Sequence, residues 1–437
     1  MSRIKSVKGF RDFYPHECAV RNHVFGTWRQ AARRCGFVEY EVPMVESTDL
    51  YRRKSGDEIT RQLFCFEDKR GRELSLRPEI TPSLARMAAA RQRDFRKPLK
   101  WFEIGNCFRY EEPQRGRTRE FYQFNADILG ETDVAADAEL IALAIATMVD
   151  LGFPDDAWTV RLSDRRLWDG FLRAQGVDAG HTAAFLQVID KLERVPAEVS
   201  EPQLQALGTS LEAVREFMGR GESLLDASDD SAADLARLRQ LLDARGLWKH
   251  VTLDAGIVRG LAYYTGVVFE VFDLVHGMRA VAGGGRYDGL CALVSDGAVD
   301  LPAAGFAMGD VVITDLIQAT PAANARLTAH LATALALDAW VVIADEARRG
   351  AALALVETLR NAGLATDYSL VAAKVGRQFQ SAEHAQARAA VVVGAEYPSI
   401  TVKDLGRRSQ QETTPENLVA TVRAVLASTD GFHVAGG

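Results

Sequence analysis

The chain has 437 residues, 47% of them hydrophobic and 25% charged, with a formal net charge of −7. That length implies two or three domains rather than one core, and the composition excludes a wholly disordered chain. An acidic balance does not by itself point to nucleic acid, although such binding needs only a local basic patch.

Residues 16–35 are expected to form a helix, because Val20, Val24, Phe25, Trp28, Ala31 and Ala32 recur at helical spacing and Gly36 follows as a terminator. Phe37–Val42 alternates as a strand and meets Pro43, which suits a strand end. A strand over 73–77 and a helix over 82–93 come next. Residues 100–130 read as two strands, carrying Trp101, Phe102, Ile104 and Phe108, then Phe121, Phe124 and Ile128, joined by the charged loop EEPQRGRTRE. A helix over 135–151 ends near Gly152. From about 165 to 247 the chain is rich in Ala, Leu, Arg, Asp and Glu and reads as a helical insertion. Strand character returns at 251–253, 267–272 and 280–281. Residues 318–337 are Ala- and Thr-rich and read as a linker of weak helical content, the linker between domains being 326–337. Beyond it, strands at 340–344, 389–393 and 400–402 around a helix at 346–362 make a small α/β domain.

No apolar run approaches the roughly 18 residues that span a bilayer. The start, MSRIKSVKGFRDFYPHE, is charged and lacks an apolar signal core, so a cytoplasmic location is the expectation. Five scattered cysteines without a CxxC pair argue against a disulfide framework or a zinc site, and the eight histidines show no ligand spacing.

Four segments carry chemistry. FRYEEPQRGRTRE brings Arg109, Arg115, Arg117 and Arg119 together, and planar guanidinium forks match phosphate. The same charges could simply keep a hairpin loop solvated. GIVRGLAYYTG sets Arg259 between glycines ahead of Tyr263 and Tyr264; the arginine faces either an anion or solvent. AVAGGGRYDGL has neither dinucleotide nor phosphate-loop spacing, and its glycines read as close backbone contact or as a turn. LRPEITP offers Glu79 and Thr81 to a small amine, or Thr81 as a helix N-cap before Pro82.

Taken in order, these segments resemble the signatures of class II histidine–tRNA ligases, from KGFRDFYP through FRYEEPQRGRTREFYQ, RGLAYY and GGGRYDGL to GFAMG. The resemblance implies an α+β fold: an antiparallel catalytic sheet with flanking helices over 1–325, a helical insertion, and a C-terminal α/β anticodon-binding domain over 338–437. It implies a homodimer with the region around Pro43 at its interface, and partners tRNA(His), histidine and ATP with Mg2+, without a membrane and without a metal held by the protein itself. Histidine would attack the α-phosphate of ATP, and the terminal ribose hydroxyl of tRNA would then attack the adenylate. By resemblance Arg109 and Arg259 flank that phosphate, Arg259 counting among the histidine-binding residues as well. Glu79 and Thr81 hold the α-amino group, Gln123 lies near the carboxylate, and Asp127 with Tyr264, beside Tyr263, reads the imidazole. Glu111 and Arg117 serve the nucleotide, and Gln114 and Arg115 are candidates for the tRNA acceptor end.

The chain departs from the family pattern twice. Val312 stands where the third class II motif has an arginine that packs on ATP, and a valine supplies neither charge nor stacking. Arg286 or an arginine of the second-motif loop is the expected substitute. Ala262 stands where an aspartate is common. The first departure also suits a second reading, a non-catalytic relative such as the regulatory subunit of ATP phosphoribosyltransferase, though that relative usually lacks the C-terminal domain.

Overall fold

The computed structural model describes residues 4–52, 61–226, 230–260 and 263–427. They fall into two units, one drawn from Met1–Phe13 and Val20–Arg326, the other from Tyr14–Ala19 and Leu327–Gly437.

The larger unit is built on an eight-stranded sheet. Its spatial order is Val38–Glu39, Leu99–Phe108, Glu120–Leu129, Ala303–Gly309, Ala282–Arg286, Val267–Asp273, Trp158–Asp164 and Val251–Leu253. Only the two outermost pairings are parallel. The hairpin expected over 100–130 is its long antiparallel pair, with Lys100 opposite Ile128 and Phe108 opposite Glu120. The helix Pro15–Arg34 buries Val20, Val24, Trp28, Ala31 and Ala32 against the sheet, where Trp28 stacks on Phe124 at 5.6 Å. Ala135–Leu151, apolar nearly all round, packs on the same side and ends at Gly152 with φ +93°, a left-handed position that glycine adopts without penalty.

Three readings shift. The strand expected over 37–42 is only Val38–Glu39. The strand expected at 280–281 is Ala282–Arg286, so the glycine run is a central strand and not a turn; glycines give no hydrophobic alternation by which to recognise it. The stretch read as a linker is helical over Pro321–Ala334, as its alanine content favours.

The described residues of 165–247 fold largely as helices, among them Arg166–Ala174, Thr182–Lys191, Ala197–Ala206, Leu211–Met218 and Asp230–Asp243. They close an aromatic core of their own in which Trp168 lies 5.1 Å from Phe185 and 4.8 Å from Phe217. The smaller unit carries a five-stranded sheet in the order Thr366–Tyr368, Ala339–Ile343, Ala389–Val393, Ile400–Asp404 and Ser409–Thr413. Leu355, Leu359, Val422 and Val425 cover one face. No described helix is long and apolar enough to cross a membrane.

Candidate functional site

The strand Glu120–Leu129 has two faces. Phe124, Ala126 and Ile128 point to the apolar core, and Gln123, Asn125 and Asp127 to the opposite side. Following the ladder away from those polar residues leads onto ground almost free of side chains. Asp127 is opposite Gly305, which is opposite Gly285; Asn125 is opposite Ala307, which is opposite Gly283; Gln123 is flanked by Gly105 and Gly309. The bareness is needed, because functional side chains lie across the backbone. A Cβ on Gly305 would strike the Asp127 carboxylate, one on Gly283 the Arg259 guanidinium, and one on Gly285 would come within 3.0 Å of the Tyr264 ring.

Over this floor the polar groups are held by one another. Tyr287 OH donates to Asp127 Oδ1 at 2.6 Å. Burial pushes the Asp127 carboxyl up to about 7, with the tyrosine hydrogen bond pulling the other way. Tyr263 OH donates to Glu79 Oε2 at 3.1 Å, and Asn125 Nδ2 to Thr81 Oγ1 at 3.5 Å. Thr81 is therefore not the N-cap that Pro82 suggests: Ile80 occupies the cap without a side-chain bond, and Thr81 already lies within the helix Thr81–Arg91. Cys107 Sγ donates to Gln123 Oε1 at 3.4 Å. Among the described residues, three buried polar atoms here are left without a partner: Asp127 Oδ2, Asn125 Oδ1 and Arg259 Nε. Buried groups of this kind are ordinarily satisfied, so their joint orphaning marks a place for a polar ligand.

Beside the floor opens a cavity of about 570 Å³ lined, among the described residues, by five arginines and four carboxylates. Arg109 anchors its Nε on Pro78 O at 3.0 Å and lies over the Phe121 ring. Arg259 adopts φ +58°, a conformation a non-glycine residue rarely takes, and pairs with Glu270. Burial works against its charge, but the Glu270 carboxylate outweighs that and its pKa is raised. Arg117 pairs with Glu111 across the hairpin loop. Arg194, from the helical segment, lines it with Asp190 and Glu193, Arg279 reaches it from the loop ahead of the glycine strand, and Val312 faces the same space.

The structure thus gathers Arg109, Glu111, Arg117, Arg259 and Tyr263 around the cavity, with Glu79 tied in through Tyr263. Gln123, Asp127, Thr81 and Tyr264 belong to the polar floor. Gln114 and Arg115 are exposed on the loop, outside the cavity lining, in a turn that Gln114 and Arg117 close by mutual backbone bonds of 3.1 and 2.8 Å. Arg286 is not the expected substitute for the missing arginine. It is buried, paired with Asp137 and bonded to Glu131 O and Asp133 O at 2.9 and 3.1 Å, away from the cavity. Ala262 lies outside the described residues. Sequence reasoning missed Glu270, Asn125 and Tyr287; of these Glu270 left a signal, a carboxylate inside the apolar strand Val267–Asp273.

Among the described residues no group of three or more His, Cys, Asp or Glu side chains could hold a metal. Of the four cavity carboxylates, Glu111, Glu193 and Glu270 are paired with Arg117, Arg161 and Arg259. The arrangement suits a polyanion beside a small zwitterion, with cations fixed before the ligand arrives.

The family model described as histidyl-tRNA synthetase matches residues 9–310, and one described as an anticodon binding domain matches 338–425. The histidine–tRNA ligase of Opitutus terrae is 40% identical over 97% of this chain and 99% of its own. The chloroplastic/mitochondrial histidine–tRNA ligase of Arabidopsis thaliana is 36% identical over 92% of this chain and 83% of its own. The solved histidyl-tRNA synthetase of Nostoc sp. PCC 7120 shares the fold with a TM-score of 0.77 over 97% of this chain and all of that one, at 20% identity.

Proposed function

The chain belongs to the histidyl-tRNA synthetase family, class II ligases that charge tRNA(His) with histidine at the expense of ATP, and on that premise we propose how its residues divide the work. The polar floor takes histidine. Glu79 and Thr81 receive the α-amino group, Gln123 steadies the carboxylate, and Asp127 with Tyr264, alongside Tyr263, reads the two ring nitrogens. A carboxylate and a tyrosine suit a ring whose nitrogens differ in protonation.

Arg109 and Arg259 flank the α-phosphate. As the histidine carboxylate attacks, charge builds on that phosphate, and fixed guanidiniums lower the barrier without reorganising. Glu111 and Arg117 hold the nucleotide. In the second step the terminal ribose hydroxyl of tRNA attacks the adenylate carbonyl; Gln114 and Arg115, exposed on the loop, are proposed to meet the acceptor end. Mg2+ would be held by ATP's outer phosphates and water rather than by protein carboxylates, and would neutralise charge there. The observation that carries this division is that Arg109 and Arg259 line one cavity next to a floor with orphaned polar atoms.

We further propose a catalytic region over 1–325 with its insertion at about 165–247, an anticodon-binding domain over 338–437, a cytoplasmic location alongside tRNA, and a homodimer. Val38, Met44 and Val45, near Pro43, are exposed apolar residues that support a dimer interface there; light scattering tests it. Val312 alone suits the non-catalytic reading, and the anticodon-binding domain match and the nearly full-length ligase relatives weigh against it. The deciding experiment is exchange of pyrophosphate into ATP without tRNA. Stimulation by histidine alone among the amino acids supports the assignment of roles; folded protein that binds histidine yet gives no exchange overturns it.

A further inference from the structure

We propose that Arg279 faces the outer phosphates of ATP, supplying the cation that Val312 cannot. The inference rests on the reading of the cavity as the ATP site.

Two side chains converge on Gly116 at the hairpin loop. A Cβ there would lie 3.3 Å from Val312 Cγ2 and 4.0 Å from Arg279 Cδ. Val312 and Arg279 therefore serve the same corner of the cavity, and both line it. Arg279 is exposed and has no carboxylate partner among the described residues. Partial burial and the like charges of Arg117 and Arg194 lower its pKa, and Glu111 offsets them only in part. Arg117, Arg194 and Arg279 line one space together with Glu111, Asp190 and Glu193; Glu111 is paired with Arg117 and Glu193 with Arg161, so Arg279 is a cation of that space with no carboxylate partner among the described residues, open to an anion. Arg286, the arginine at the end of the glycine strand, is held by Asp137. Arg109 and Arg259 already account for the α-phosphate, so the anions left for the Arg279 corner are the outer two. The adenine, being uncharged, draws less from a cluster of cations than a phosphate does, its gain being confined to stacking.

The test uses the full chain as wild type, Arg279→Ala, Val312→Arg and the double variant. ATP and AMP affinities are measured by titration calorimetry, and the KM for ATP and for histidine by pyrophosphate exchange. Arg279→Ala is expected to weaken ATP about tenfold or more, leaving AMP affinity and the histidine KM unchanged. Adding Val312→Arg is expected to recover most of the loss. Unchanged ATP affinity, or equal losses for ATP and AMP, overturns the inference. Wild-type protein that fails to exchange overturns the functional reading instead, while the ATP-against-AMP comparison still decides the role of Arg279.

Discussion

Gly305 stands directly opposite Asp127 in the central ladder, and a methyl group on it would occupy the position of the Asp127 carboxylate. Gly305→Ala must therefore push Asp127 off the floor or bend the strand. Such overpacking costs about 1–3 kcal/mol. The expected result is a lower melting temperature and histidine affinity reduced about tenfold or more, with ATP affinity little changed. Calorimetry with each ligand checks this, and an undiminished histidine affinity would mean that the carboxylate is not a contact.

Asp127 also sets a pH dependence. Its carboxyl is pushed up to about 7 in the folded chain, against about 3.9 when unfolded. Between those values the folded chain holds a proton that the unfolded chain has released, so stability falls as pH rises from about 4 to about 7 and then levels. In chemical denaturation Asp127→Asn should remove the part of that slope between about pH 6 and 7, while Asp137, pushed up by burial to about 6, keeps a slope below it. In the wild type, histidine affinity should climb through about pH 7 as the acceptor ionises. Histidine's own imidazole titrates near pH 6.5, so the comparison is with the Asn variant; identical profiles in the two proteins would rule out this role.

Arg259→Ala should slow pyrophosphate exchange about 10²–10³-fold in kcat, the usual cost of removing one donor to a charge that develops in the transition state. Glu270 would lose its partner, so Arg259→Lys is the companion variant. It should retain the fold and part of the rate. A drop confined to the KM for histidine, with kcat intact, would assign Arg259 to ground-state binding only.

On the same face of the sheet as Gln123 and Asn125, Arg77 and Glu103 form a buried pair at 2.7 Å, each side chain 2% exposed. Arg77 also donates to Val42 O and Asn106 O, at 2.8 and 2.7 Å. Burial raises the Glu103 carboxyl while Arg77 draws it down. Arg77→Met should destabilise the chain by about 3–5 kcal/mol, because a carboxylate is left alone in the interior. Arg77→Met with Glu103→Met should be the more stable of the two variants. Urea denaturation reads the difference, and equal stabilities would show that the pair is not coupled.

The first helix and the long hairpin were legible because their side chains alternate or recur at the period of the element, and both bury the residues that carry the pattern. The strand Ala303–Gly309 and the glycine strand beside it were not, because small residues on a ligand-bearing face carry no such signal. The same cause hid part of the site. Arg109, Arg259 and Asp127 lie in recognisable segments, whereas Arg194 and Arg279 reach the cavity from loops with no pattern of their own. Arg286 misled in the opposite direction: its segment resembles a ligand site, yet its charge is spent on Asp137. Thr81 shows that a residue before proline with capping chemistry need not cap when a neighbour, here Asn125, offers it another bond.

The pairing of Arg259 with Glu270 and of Arg117 with Glu111 has a consequence for ionic strength. Those two guanidiniums bring their own counterions, so an incoming phosphate exchanges one anion for another and releases few salt ions to solution. Arg109, Arg194 and Arg279 have no carboxylate partner among the described residues and draw a mobile ion atmosphere instead. The sensitivity of ATP binding to added salt is thereby vested in those three, and substituting any of them flattens it, whereas breaking either internal pair steepens it.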